Sequence, residues 1–216
     1  RLLPAFAKMR VYANANGAGE AARALQFGAE GIGLARTEYM FLEDQVEGEH
    51  RALTIQSWVL AENEQVRLEA LHRLGGMQRS DFLKMYKVME DKPVIIRLLD
   101  NPLHELLSGA NEHLGELSQL TQMDKASLER RISNFHENNP MLGHRSVRLG
   151  ITHPEVYEMQ VRAILSAAKE HNDNSAGNYV TPLIEIPLVS MQTEVGYVAE
   201  IVKKVASEFG FSRSGS

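Results

Sequence analysis

The stretch from Arg10 to Ala35 constrains the fold most. Arg10 to Ala15, with Val11 and Tyr12, has the composition of a short strand, and Asn16-Gly17-Ala18-Gly19 follows as a turn. Ala21, Ala22, Ala24 and Leu25 then favour a helix as far as Phe27, with Gly28 placed to end it in a left-handed cap. Gly31-Ile32-Gly33-Leu34-Ala35 reads as a buried strand. Strand, helix and strand within about 25 residues make a βαβ unit, whose strands pair in parallel through a right-handed crossover.

The remainder repeats the alternation. Glu43 to Glu90 is helical in pattern and is expected to break at Gly75-Gly76. Val94-Ile95-Ile96-Arg97-Leu98-Leu99 reads as a strand buried on both faces. A helical region, Asn111 to Glu137, precedes a short strand expected at Ser146 to Leu149, and Pro154 opens a helix running to about Glu170. Asn172 to Asn178 is expected as a loop, Tyr179 to Val189 as a fifth strand with Pro182 and Pro187 at its ends or at unpaired positions, and Thr193 to Glu208 as an amphipathic helix. Ser212 to Ser216 reads as a flexible tail or vector-derived scar, outside a single domain over residues 1–211. Strands alternating with helices imply α/β, either an open doubly wound sheet or part of a (β/α)₈ barrel.

Composition narrows the function classes. The 23 basic and 28 acidic residues give a net charge of −5 spread along the chain, so neither nucleic acid nor an acidic membrane is an expected partner. With no Cys, disulfides, thiolate metal sites and thiol nucleophiles are excluded, which fits a reducing compartment. The apolar stretches are too short for a spanning helix and the first residues lack a signal-peptide pattern, so a cytoplasmic location is expected.

Chemistry is expected where strands end. Arg36-Thr37-Glu38 follows the second strand at its carboxyl end, where both architectures place ligands. Arg97, a guanidinium inside a buried strand, cannot lose its proton and needs a carboxylate, carbonyls or an anion. It could pair with Asp100 or Glu38, or clamp an arriving anion. His144, Arg145 and Arg148 form a further basic cluster, in which His144 is expected to be a satisfied polar residue. The other histidines lack zinc-ligand spacing, and Glu185 is expected to be ion-paired rather than a metal ligand. The glycines from Gly28 to Gly33 precede and enter a strand, so they are not a nucleotide fingerprint.

Gly28 to Phe41, Ile96 to Glu105, Asn139 to Arg145, Leu149 to Thr152, Tyr157 to Ile164 and Ile186 to Val189 are ordered blocks that together resemble the pyruvate, phosphate dikinase family. The resemblance implies the first five β/α units of a (β/α)₈ barrel that binds phosphoenolpyruvate or pyruvate, with helical insertions after strands two and three. It implies that Arg36, Arg97 and Arg145 surround the phosphoryl and carboxylate groups of the substrate and that Asp100 supports them. In the family reaction ATP and phosphate load a histidine on a separate domain, and the barrel passes the phosphoryl group to the enolate of pyruvate, with magnesium and arginines stabilising its charge. The magnesium ligands of the family fall on later strands and its proton donor is a cysteine. The chain is therefore expected to be a dikinase fragment that lacks the phosphohistidine and ATP-binding domains. No cofactor of its own, no turnover alone and self-association of the open barrel are expected. A non-catalytic anion-binding or assembly module, or a pyruvate-type lyase, is the alternative reading.

Overall fold

A computed structural model describes residues 9–42, 50–135, 139, 143–175 and 177–211. The Ser212–Ser216 tail, the middle of the Asn139–Gly143 block and residues 43–49 of the long helical stretch lie outside these residues.

Four strands, β1 (Ala13–Asn14), β2 (Ile32–Arg36), β3 (Val94–Arg97) and β4 (Leu183–Glu185), form one sheet in sequential order, every neighbouring pair parallel. Helix α1 (Ala18–Gln26) connects β1 to β2. Between β2 and β3 lie α2 (Tyr39–Leu42), α3 (Arg51–Leu60) and α4 (Glu64–Met89). The connection from β3 to β4 carries α5 (Leu103–Leu106), a 3₁₀ turn at Ala110–His113, α6 (Leu114–Thr121), α7 (Lys125–Asn134), α8 (Ser146–Thr152) and α9 (Pro154–Asn174), and α10 (Gln192–Glu208) follows β4. The parallel βαβ opening is as the sequence implied, and Gly28 ends α1 with a φ of 93°, a conformation that costs glycine little.

Local chemistry and packing explain the helices. Asn63 caps α4 by accepting from the amides of Gln65 at 2.8 Å and Val66 at 3.4 Å, and Pro154 pre-sets the first turn of α9. The glycine pair Gly75-Gly76 does not break α4. A Cβ on Gly75 would lie 3.2 Å from Cγ of Met159, so the bare backbone lets α4 and α9 approach closely. Burial of Leu71, Leu74, Met77 and Phe82 then outweighs the roughly 1 kcal/mol of propensity that each glycine loses. Buried Arg51 ties α3 to its neighbours by donating to the carbonyl of Met40 at 2.9 Å and to Asp81.

One strand expectation and one loop boundary need correction. Ser146 to Leu149 is the start of α8, not a strand: β3 pairs directly with β4, which leaves no slot between them, and the described residues contain four strands rather than five. The loop expected from Asn172 starts later, because α9 continues to Asn174. Pro182 and Pro187 do lie outside β4, where a missing amide is harmless.

The two faces of the sheet differ. Val94 and Ile96 of β3 are fully buried in the core shared with α4 and α9, whereas Ile95 and Arg97, which alternate to the other face, are only half-buried. Leu183, the register partner of Ile95, is exposed. Arg97 therefore does not sit in a strand covered on both faces, as the apolar run implied, but on the more open side.

Candidate functional site

Register lines up three strand ends. Arg36 of β2 lies opposite Arg97 of β3, and Arg97 opposite Glu185 of β4. The carboxyl end of a parallel sheet is where the loops can shape a ligand site.

Arg97 donates to Glu38 and lies 3.1 Å from the carboxylate of Asp100. Asp100 in turn binds Arg145, carboxylate to Nη2 at 3.1 Å, while Nε of Arg145 donates to the Asp100 carbonyl at 3.0 Å. Ser146 adds its hydroxyl to the same carboxylate and reaches the Asp100 carbonyl at 3.1 Å. The side chains of Arg97, Glu38, Asp100 and Arg145 are 19%, 7%, 13% and 13% exposed, too enclosed to behave as screened surface pairs. Both carboxylates that the sequence offered to Arg97 are thus used at once. Its Nε is buried without a hydrogen-bond partner, as is Oε2 of Glu38.

Arg36 is held differently. The side-chain oxygen of Asn16 accepts from its amide at 3.1 Å and its Nε at 3.4 Å, and its guanidinium lies over the Tyr39 ring at 4.5 Å. The structure therefore joins Arg97, Asp100 and Arg145 directly and places Arg36 at the neighbouring strand end. Arg97 and Arg145 are ion-paired to Glu38 and Asp100, whereas Arg36 makes no ion pair among the described residues, so its charge is left to favour an anion.

Other candidates fall aside. Glu185 is exposed and makes no ion pair among the described residues; at the sheet's edge nothing compels it to find the partner that the sequence implied. His144 is satisfied, as expected, with Nε2 at 2.6 Å from the Thr152 hydroxyl and its ring tilted against His153. Arg148 donates to the carbonyl of Gly143 at 3.4 Å. The carboxylates in the site are occupied by arginines, and the described residues contain no cluster of three His, Asp or Glu suited to a metal. The residues present do not fit magnesium.

Sequence reasoning missed the support beneath the arginines. Thr37 donates from its hydroxyl to the carbonyl of Arg97 at 3.0 Å. Gln160 of α9, fully buried, accepts from the Leu99 amide at 2.8 Å and donates to the Thr37 hydroxyl at 2.9 Å. Tyr157, one turn earlier, donates to the Leu99 carbonyl at 3.0 Å. Burial raises the pKa of its phenol, and the charges of Asp100 and Glu38 add to this against Arg97, so it stays a donor. A signal for Gln160 was present: it is the polar member of the stripe Val156, Gln160, Ala163, Ala167, otherwise the buried apolar face of α9.

The family model described as "PEP-utilising enzyme, PEP-binding domain" matches residues 2–213. Among similar proteins, pyruvate, phosphate dikinase of Rhizobium meliloti (strain 1021) is 45% identical over 201 residues, covering 93% of this chain and 22% of the relative. That of Clostridium symbiosum is 38% identical over 203 residues, covering 94% and 22%. The chloroplastic pyruvate, phosphate dikinase 1 of Oryza sativa subsp. japonica is 39% identical over 203 residues, covering 93% and 21%. The chain thus spans little more than a fifth of the length of these relatives. No described helix is long and apolar enough to cross a membrane.

Proposed function

Because the chain belongs to the family of PEP-utilising enzymes, through their PEP-binding domain, we propose that it is the part of a pyruvate, phosphate dikinase that holds phosphoenolpyruvate or pyruvate. The observation that carries this is the gathering of Arg36, Arg97 and Arg145 from three separate segments at the carboxyl end of the sheet, with Arg36 making no ion pair among the described residues. The carboxylates hold two of the guanidinium forks before the ligand arrives. The substrate's phosphoryl and carboxylate oxygens then meet oriented donors at little further ordering cost.

The sheet is read as part of a (β/α)₈ barrel wall. Two observations support this over a doubly wound sheet: the strand order is sequential with no reversal point, and one face of β3 is more open than the other. Parallel sheets rarely leave a face open, so that face would look into a barrel, and in isolation it favours self-association. Phosphoryl transfer itself needs a phosphohistidine and an ATP site, which this reading assigns to other parts of such a protein. The chain alone would bind without turnover, since it has no cysteine, the residue type to which the resemblance assigns proton donation.

Calorimetric titration of phosphoenolpyruvate into the 216-residue chain and its Arg97→Met variant tests the reading. The variant keeps an apolar stem and loses the fork, so affinity should fall by about 1.5–3 kcal/mol, the worth of a charge-assisted hydrogen bond. No binding by the parent chain, or equal binding by a folded variant, would contradict it.

A further inference from the structure

The arginine site rests on two adjacent main-chain stretches, Thr37-Glu38 after β2 and Leu98-Leu99-Asp100 after β3, and both are tied to one helix face. On α9, Gln160 accepts from the Leu99 amide at 2.8 Å and donates to the hydroxyl of Thr37 at 2.9 Å, and that hydroxyl passes the contact on to the Arg97 carbonyl at 3.0 Å. Tyr157 takes the other side of the same residue, donating to the Leu99 carbonyl at 3.0 Å. Leu99 is thus gripped at both its amide and its carbonyl, and the next residue is Asp100, the carboxylate shared by Arg97 and Arg145.

We infer that Gln160, with Tyr157, is a positioning residue of the anion site: it locks the main chain before Asp100 and joins it to the Thr37-Glu38 turn, so that the carboxylates hold the arginines open to an oxyanion. The inference rests on the reading of the site as an anion site and names what sets its geometry. The chemistry calls for glutamine. The position needs one acceptor for an amide and one donor for a hydroxyl, on a single arm reaching from a buried helix face, and a carboxamide supplies both without adding charge beside Glu38 and Asp100. Gln78 of α4 strengthens the arrangement, its side-chain oxygen standing 3.4 Å from Nε2 of Gln160. Gly150 fixes the Tyr157 end: a Cβ there would collide with the ring, so the absence of a side chain lets the phenol pack directly against the backbone of α8.

A polar residue that only stabilised the core would affect stability and leave affinity unchanged. Phosphoenolpyruvate is titrated calorimetrically into the 216-residue chain and into Gln160→Met, Tyr157→Phe and Val161→Ala, with thermal unfolding followed for each. Val161 is fully buried on the same helix and takes no part in the polar contacts, so it controls for loss of packing alone. The inference expects Gln160→Met to bind about tenfold more weakly, or about 1.4 kcal/mol, Tyr157→Phe a few-fold more weakly, and Val161→Ala as the parent despite a lower Tm. Unchanged affinity in Gln160→Met, or an equal loss in Val161→Ala, would overturn the inference and leave the anion site standing. If Gln160→Met does not fold, Tyr157→Phe decides, since it removes one oxygen and no volume to speak of; unchanged affinity there overturns it. A parent chain that does not bind would overturn the site reading, and the inference with it.

Discussion

At the ends of β2 and β3 polar side chains are enclosed, whereas along β4 and into α10 apolar side chains stand in the open. Glu38, Arg97, Asp100 and Arg145 are enclosed and joined by ion pairs, while Leu183, Leu188, Val189, Met191, Val195 and Tyr197 are exposed. The contrast separates two kinds of surface. Enclosing charge is costly and persists where the partners are exact in number and place, as Glu38 and Asp100 match Arg97 and Arg145, so the neighbouring Arg36, which makes no ion pair among the described residues, points to a ligand. Exposing apolar side chains along a strand and the helix after it points instead to a neighbouring element, and β4, like β1 at the other side of the sheet, has an outer edge that the described residues leave unpaired.

The difference can be broken at either end, and the site end should react most. Asp100→Ala leaves Arg97 and Arg145 without their shared carboxylate, and urea denaturation should show a loss of about 3 kcal/mol; a loss below about 1 kcal/mol would mean that the cluster behaves as surface charge. Gly150→Ala drives a methyl group into the ring of Tyr157, and the same measurement should give about 1–3 kcal/mol for the overpacking. At the other region, Leu183→Lys should change stability by no more than about 0.5 kcal/mol, because the side chain is already exposed. Light scattering over a dilution series should show less self-association in that variant, and an unchanged profile would place the association elsewhere.

The smallest effect concerns acid. Glu194 accepts from the amides of Ser190 at 2.7 Å and Met191 at 2.9 Å at the start of α10, and these bonds hold its pKa below the ordinary value. A depressed carboxyl stabilises the fold above its unfolded pKa and ceases to do so as pH falls through its folded pKa. The amide resonances of Ser190 and Met191 should therefore titrate with a midpoint below the usual ~4.3 of glutamate. A midpoint at or above that value would show that the cap does not form.

The two regions were not equally legible in the sequence. The βαβ opening, the Gly28 cap and β3 follow from local composition, and Arg97 declared its need for a partner because a guanidinium in an apolar run has few alternatives. Ser146 to Leu149 misled because four residues cannot separate a period of 2 from one of 3.6, and because Ser146 enters α8 with a φ of 56°, a turn that no composition rule supplies. The break expected at Gly75-Gly76 followed propensity, which close packing on Met159 overrode. The grip of Gln160 and Tyr157 on Leu99 joins residues about sixty positions apart, and only the fold brings them together.

The most direct test of the account is an arginine side-chain NMR titration of the 216-residue chain with phosphoenolpyruvate. It predicts saturable shifts of the Nε–H signals of Arg36, Arg97 and Arg145, while Arg79 and Arg162, paired with Glu170 and Glu208 on the helical side, stay fixed. Shifts confined to Arg79 and Arg162, or no saturable shift at the three strand-end arginines, would contradict it.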